Sequence, residues 1–319
     1  MNDAGHVPLR LGVSSCLLGE PVRYDGGDKR DTWISGTLAR YCEFVPLCPE
    51  VGIGLGVPRP PVRLSGHPAR PRALGVDDPS LDVTDSLQCF GRRAVGRLQG
   101  ISGYVFKSRS PSCGLGDVDV VGARGAVRRT GTGLYAREIR RALPLLPVED
   151  EQGLADPARR DAFLERVFVM RRWQCFRQQR LTARGLRAFH EAHRLLLMAH
   201  GDKALYSLDD LLAHIGRRPL RALAAKYIET FMAALQRRAT ASRQAAVLRC
   251  LVKPLEPRLD SGDRQELLEA LRAYRAGRAR RLVVLTLLRH HYRHHPDDNA
   301  TRQVYLYPDA EEGVLRDFL

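Results

Sequence analysis

Cys16, Cys48 and Cys113 each stand at the carboxyl end of a short apolar run. Cys16 follows Val13-Ser14-Ser15, and Cys48 follows Val45-Pro46-Leu47. Cys113 lies in Ser110-Pro111-Ser112-Cys113-Gly114, just beyond Tyr104-Val105-Phe106-Lys107. These runs read as buried strands. If they are parallel neighbours, the three thiols converge on one sheet edge, where α/β sheets place their chemistry. No Cys-x-x-Cys pair occurs, which disfavours a zinc ribbon or finger. Three convergent thiolates without an obvious fourth ligand suit a [4Fe-4S] cluster with one iron open for chemistry. The competing reading is three small buried strand-end residues, a common fate of free cysteine. Cys42, Cys89, Cys175 and Cys250 lack such surroundings and read as packing residues.

Polar residues beside these cysteines bear on the choice. Glu50 is two residues from Cys48, so its carboxylate is a potential general acid or base, or an ordinary first-turn helix acid. Ser110 and Ser112 flank a proline, and their hydroxyls could face a ligand or cap a helix. Arg23-Tyr24-Asp25-Gly26-Gly27 reads as a turn that could close over a substrate. The stiff stretch Pro58-Arg59-Pro60-Pro61-Val62-Arg63 carries two guanidiniums that could grip a base or phosphate, or only shape a loop. Gly114-Leu115-Gly116 and Gly122-Ala123-Arg124-Gly125 do not complete a dinucleotide fingerprint.

The elements that must position these groups follow from periodicity. Leu9–Ser14, Phe44–Leu47 and Gly103–Phe106 read as strands, with Val118–Val121 as a further one. Gly36–Tyr41 and Ser80–Gln99 read as helices. The alternation predicts an α/β, Rossmann-like layered domain with a mainly parallel sheet over residues 1–148. Pro144, Pro147 and Glu149-Asp150-Glu151 suggest a linker at 149–160. From 161 to 319 the pattern is helical, as in Phe163, Val167, Met170 and Trp173, which predicts an all-α bundle. His190, His193 and His200 invite a metal reading, but no Glu or Cys completes a tidy site, so polar contacts or RNA contact are preferred.

The chain has 319 residues, 44% of them hydrophobic, so real cores can form and a wholly disordered protein is excluded. The apolar stretch Leu282 to Leu288, interrupted only by Thr286, is far short of the ~20 residues of a membrane span. The N-terminus lacks the order of a signal peptide, and seven cysteines without export suggest thiols rather than disulfides; a reduced, cytoplasmic protein is expected. The net charge is +15, from 51 basic and 36 acidic residues. Between Arg171 and His295 there are 26 basic and 10 acidic residues, so the whole excess lies in the helical segment. That is the footprint of a polyanion-binding domain beside a near-neutral one. Arg171-Arg172-Trp173, Arg217-Arg218, Lys226-Tyr227, Arg237-Arg238 and Arg278-Ala279-Arg280-Arg281 could reach a phosphate backbone. Trp173, Tyr206, Tyr227 and Tyr292 could stack on bases, or be core.

Three segments carry a resemblance. They are Ser15-Cys16-Leu17-Leu18-Gly19 with Val22-Arg23-Tyr24-Asp25-Gly26, Cys48-Pro49-Glu50-Val51-Gly52 running on to Pro60, and Ser110-Pro111-Ser112-Cys113-Gly114. Together they resemble the thiouracil desulfidase family over most of residues 8–148. Phe189-His190-Glu191-Ala192-His193-Arg194 through His200 resembles a second domain, formerly uncharacterised, that is often fused to the first. The resemblance implies a [4Fe-4S] cluster held by Cys16, Cys48 and Cys113, with its fourth iron open to the sulfur of a thiolated pyrimidine. It implies that Glu50 handles the proton of an attacking water. It implies that a serine assists, Ser110 being preferred as catalytic. Ser112, Arg23, Tyr24 and Arg63 are the expected substrate-binding residues.

The expected reaction is a non-redox hydrolysis of C=S to C=O with release of hydrogen sulfide. A basic helical domain joined to such an enzyme points to 4-thiouridine in tRNA as substrate. The alternatives are a desulfidase of free thiouracil with a structural second domain, or a non-catalytic, cluster-bearing RNA-binding regulator. No membrane partner is expected, and the oligomeric state is open.

Overall fold

The computed structural model describes residues 8–122 and 125–317. The N-terminal residues Met1–His6 and the Ala123-Arg124 pair therefore lie outside the described residues. The chain divides into two compact units, one up to Gln174 and one from Cys175 onward.

The first unit is built on β1 (Arg10–Ser14), β2 (Glu43–Leu47), α1 (Pro49–Gly52), β3 (Val62–His67), β4 (Arg70–Gly75), α2 (Thr84–Arg97), β5 (Gly103–Phe106), β6 (Val118–Val121), β7 (Val127–Gly131), α3 (Leu134–Ala142), β8 (Val148–Asp150), α4 (Glu151–Ala155) and most of α5 (Pro157–Gln178). Its principal sheet has the order β2-β1-β5-β8, with every pairing parallel. Val13 pairs with both Pro46 and Val105, and Ser14 pairs with Leu47. The three strand ends that precede Cys16, Cys48 and the Cys113 loop thus share one edge, as the alternation predicted.

A tight aromatic core fixes this sheet. Tyr104 and Phe106 stack with ring centroids 3.9 Å apart, and Tyr135 of α3 donates its hydroxyl hydrogen to the Tyr104 hydroxyl at 3.2 Å. All three are fully buried. Gly12, opposite Tyr104 in register, lies so close that a Cβ there would sit 2.1 Å from the ring, so only glycine fits.

Two features differ from the sequence reading. A second, mixed sheet of order β4-β3-β6-β7 packs Leu64, Ala73, Val118 and Val120 against Leu87 and Leu134. Its β3–β4 hairpin starts at Val62 and Arg63, the end of the stretch read as stiff and proline-rich, and runs on through residues given no element in the sequence reading; Pro71, Ala73 and Gly75 alternate inward on its edge strand. Residues 149–160, expected as a linker, instead supply β8, α4 and the start of α5. α5 packs on the principal sheet, its Val167 and Phe163 covering Gly103, so the division between units falls within its last turn.

The second unit is helical: α6 (Ala183–Ala192), α7 (Arg194–His200), α8 (Asp202–Ala213), α9 (Leu220–Leu235), α10 (Ala241–Val252), α11 (Ser261–Arg275), α12 (Arg281–His294), α13 (Asp298–Thr301) and α14 (Ala310–Asp317). His190 is buried, with Nε2 2.9 Å from Asp209 and Nδ1 3.3 Å from the Tyr227 hydroxyl. His193 stacks on Phe189 and bonds its carbonyl at 2.7 Å, and His200 reaches the Arg237 carbonyl. These histidines are hydrogen-bonded core residues. Tyr227 and Tyr292 of this unit, and Trp173 of the first, are likewise buried, whereas Tyr206 is exposed.

Candidate active site

At the carboxyl edge of the principal sheet a cleft of about 250 Å³ is lined by Cys16, Cys48 and Cys113 together with Glu50, Arg59, Ser110, Arg23, Tyr24, Lys107 and their neighbours. Each side chain arrives there for a local reason. β1 runs into a tight turn, Ser15–Leu18, closed at Gly19 in the left-handed region, and this turn carries Cys16. β2 ends at Cys48, the extended residue that caps α1. Pro49 then opens the helix and Glu50 occupies its first turn. After β5 the chain turns through Arg109, a non-glycine residue at φ 57, into Ser110-Pro111-Ser112-Cys113. Backbone strain of that kind gathers at functional loops.

The Ser110 loop is held from two sides. Ser110 Oγ accepts hydrogen bonds from the amides of Ser112 (3.2 Å) and Cys113 (3.1 Å). The amides of Gly133, Leu134 and Ala136, at the start of α3, donate to the carbonyls of Gly114, Pro111 and Ser112 at 2.8–3.1 Å. Ser112 is fully buried and donates its hydroxyl to Glu50 Oε1 at 2.8 Å.

Glu50 Oε2 accepts from Nε (2.9 Å) and Nη2 (2.7 Å) of Arg59, a residue only 7% exposed. Arg59 also donates to the carbonyls of Gly56 (2.8 Å) and Val22 (2.9 Å), tying three loops together. Both oxygens of Glu50 are therefore engaged, and its orientation in the cleft is fixed. Lining the same cleft, Lys107 donates through Nζ to Glu151 (2.5 Å) and to the Ser108 hydroxyl (3.0 Å). Ser108 donates backbone and hydroxyl hydrogens to the same carboxylate. Burial alone would raise the Glu151 carboxyl, but the Lys107 and Ser108 donors outweigh it and hold it below the ordinary range.

The structure brings together Cys16, Cys48, Cys113, Glu50, Ser110, Arg23 and Tyr24 of the sequence-expected site residues. Arg23 binds Asp25 at 3.0 Å and lies 5.2 Å from the ring centre of Tyr24, which is 42% exposed at the mouth. Ser112 does not line the cleft. It lies behind Glu50, its hydroxyl engaged by that carboxylate. Arg63 is an exposed residue of β3, paired with Leu74 and absent from the cleft wall. Of the two guanidiniums in that stretch it is Arg59 that turns inward. Sequence reasoning also missed Lys107 and Glu151. A lysine directly after a buried strand was the available signal for the first, and for Glu151 there was none short of recognising β8.

The donor set can be tested against an iron–sulfur cluster. Among the described residues no three His, Cys, Asp or Glu side chains cluster tightly enough to hold a single metal ion. A cluster makes a different demand, since each thiolate ligates a separate iron. Burial pushes the Cys16 thiol up to about 11, with Lys107 opposing and Cys48 adding to the rise. Burial likewise drives Cys113 well above the thiol range, opposed by a hydrogen bond with Ser14 and reinforced by Cys48 and Cys16. Three buried soft donors lining one cleft fit a multinuclear iron–sulfur group, whose positive charge would stabilise the thiolate forms that burial disfavours. Cys42, Cys89, Cys175 and Cys250 do not line the cleft.

Residues 11–151 match the 2-thiouracil desulfurase family. The structure of a protein titled [4Fe-4S]-dependent thiouracil desulfidase TudS is 33% identical, over 46% of this chain and 94% of that one, with a TM-score of 0.38. The chain belongs to the thiouracil desulfidase family. Residues 194–309 match a family described only as a protein of unknown function, DUF1722. No curated protein matches the chain. The α/β unit with its parallel sheet and the helical second unit accord with the fold class read from the sequence. No helix among the described residues is long and apolar enough to cross a membrane.

Proposed function

We propose that the chain is an iron–sulfur-dependent, non-redox desulfidase acting on a thiolated pyrimidine, with 4-thiouridine in tRNA as its substrate and uridine and hydrogen sulfide as products. One observation carries the reading: the cleft that gathers Cys16, Cys48 and Cys113 also presents Glu50, its carboxylate held by Arg59 and Ser112. A sensor of redox or iron would need no carboxylate so placed, which disfavours the regulator reading.

The three cysteines would hold the [4Fe-4S] cluster, which supplies an open iron of matching softness for a thiocarbonyl sulfur and polarises its carbon. The rest of the chemistry belongs to side chains of this protein. Glu50 takes the proton of the water that adds to that carbon and returns a proton to the departing sulfur. Arg59 and Ser112 keep the carboxylate aimed, which removes the entropy of finding that geometry from the barrier. Ser110 spends its oxygen on two amides, leaving its O–H as a donor toward the pyrimidine. Tyr24, with Arg23 over its face, offers a stacking surface at the mouth.

The basic second unit would supply the RNA contacts, through phosphate neutralisation and counterion release. The test is sulfide release from thiolated tRNA and from free 4-thiouracil by anaerobically prepared holoenzyme, across salt concentrations. The account expects RNA turnover that falls steeply with salt. Turnover of the free base with thiolated tRNA untouched at low salt would replace it with the second reading, a free-thiouracil desulfidase. That second reading is favoured by one fact: the match to the 2-thiouracil desulfurase family spans residues 11–151 and does not include the helical segment. An iron-free protein that still desulfurates at full rate would end both.

A further inference from the structure

The helical unit holds a second concavity, of about 390 Å³, lined by Arg177, Gln179, Arg180, Leu181, Leu220 and Arg221. Three guanidiniums share its wall and no acidic side chain does. Some arginines of the unit are paired, as Arg194 is with Asp209 at 3.0 Å, and others stand singly on its surface; what sets this group apart is that three share one concavity. Arg177, Arg180 and Arg221 make no side-chain hydrogen bond or ion pair among the described residues. Like charges brought together in a concave wall repel, and a bound anion would relieve that repulsion.

The backbone adds to the same field. Leu220 and Arg221 are the first two residues of α9, a helix of 16 residues whose Pro219 cap makes no side-chain hydrogen bond and whose first turn holds no acid. The peptide N–H groups that a helix leaves unpaired at its start therefore lie at this wall, uncompensated by a side chain. Arg177 comes from the last turn of α5, and Gln179, Arg180 and Leu181 from the segment that leads to α6. Two helix ends thus fix where the guanidiniums sit.

We propose that this pocket binds a phosphate group. A carboxylate presents two oxygens in one plane and satisfies one guanidinium fork, whereas a tetrahedral phosphate can accept from three arginines at different angles. The phosphate has two possible sources, the backbone of the RNA substrate or free inorganic phosphate. The proposal rests on the RNA reading above only for the first of these, and it is independent of the desulfurating chemistry.

The experiment uses full-length holoenzyme, wild type beside Arg177→Ala, Arg180→Ala, Arg221→Ala, Arg221→Lys and the double variant Arg177→Ala/Arg221→Ala. The substitution Arg93→Ala, at an exposed position of α2 in the first unit, serves as a control. Inorganic phosphate binding is read by calorimetry, and tRNA binding by fluorescence anisotropy at several salt concentrations. Wild type and Arg93→Ala should bind phosphate saturably, and the double variant should not. Each single alanine variant should lose about tenfold in affinity, the scale of one charge-assisted hydrogen bond. Arg221→Lys keeps the charge and the fold and should still weaken binding, because an ammonium lacks the fork.

If the source is RNA, tRNA affinity falls in parallel. The slope of log K against log salt then drops by about 0.7–0.9, the loss of one phosphate contact, and the double variant drops no further than a single one. If the source is free phosphate, phosphate binding is lost while tRNA affinity stays at the wild-type value. Wild-type affinity for both probes in the double variant, or no phosphate binding by wild type together with an unchanged tRNA salt slope, overturns the proposal. Sulfide release from free 4-thiouracil is a separate readout, so failure of the chemical reading would leave this result interpretable.

Discussion

Substituting Gly133 by alanine should damage the active site from outside it. Gly133 caps α3 at φ −55 and ψ 140, a conformation open to any residue, so the change tests contact alone. The added methyl would sit 2.4 Å from the carbonyl carbon and oxygen of Ser112 and 2.6 Å from the amide nitrogen of Cys113. Ordinary contact lies near ~3.5 Å, so the Ser110–Gly114 loop must retreat by about 1 Å. It cannot retreat freely, because three amides from the start of α3 hold its carbonyls. Overpacking of this kind costs about 1–3 kcal/mol, which for a unit of this size lowers Tm by roughly 5 °C. The displaced atoms belong to the residue that supports Glu50 and to Cys113, and a shift of about 1 Å in such a group can cost on the order of 100-fold in rate. The assay pairs calorimetric Tm with iron content and sulfide release of anaerobic holoenzyme. Gly96→Ala is the control, since a Cβ there meets nothing within 4 Å and its exposed place in α2 favours alanine by up to about 1 kcal/mol. A Gly133→Ala protein with wild-type Tm, iron and turnover would refute the claim that α3 clamps this loop.

Three further outcomes follow from the same geometry. Arg59→Leu strands the Glu50 carboxylate and two carbonyls in a buried site, so it should destabilise the protein by about 3 kcal/mol as well as abolish turnover; an unchanged Tm contradicts this. Glu151 has a depressed pKa in the folded state, so its stabilisation is present above its unfolded value near 4.5 and is lost as pH falls through the lower folded value. Glu151→Gln should therefore lower Tm at pH 7 and flatten its decline between about pH 5 and pH 3, and parallel wild-type and variant curves would exclude that linkage. In the iron-free protein at pH 8, iodoacetamide should label the exposed Cys89 and Cys250 well before Cys16 and Cys113, whose thiols burial has pushed up. Peptide mass mapping over time reads the order, and early labelling of Cys113 would contradict the burial described.

What was legible in the sequence was whatever depended on chain-local pattern. The continuous apolar runs before Cys16 and Cys48 and before the Cys113 loop announced parallel strands, and parallel strands necessarily deliver their ends to one edge. Glu50 was legible because it stands two residues beyond Cys48, in the first turn of α1. What was hidden depended on partners distant in sequence. Arg59 and Arg63 look alike in a proline-rich stretch, and only the closure of its loop onto Val22 and Gly56 sends Arg59 inward while β3 sends Arg63 out. Ser112 looked like a substrate contact until its hydroxyl met a carboxylate 62 residues away. Glu151 sat in an acidic run with the grammar of a linker, and became an active-site neighbour because β8 pairs with β5. The charge excess of the helical segment was visible at once, but not that Arg177, Arg180 and Arg221 share one wall.

The central claim is that Cys16, Cys48 and Cys113 together hold the group that makes this cleft a desulfidase. Its most direct test is iron and acid-labile sulfide per chain after anaerobic preparation, for wild type and for alanine at each of the seven cysteines. The account predicts about four of each in wild type and in the variants at Cys42, Cys89, Cys175 and Cys250, with loss at Cys16, Cys48 and Cys113. Substoichiometric iron in wild type, or full occupancy after removal of any one of those three thiols, would contradict it.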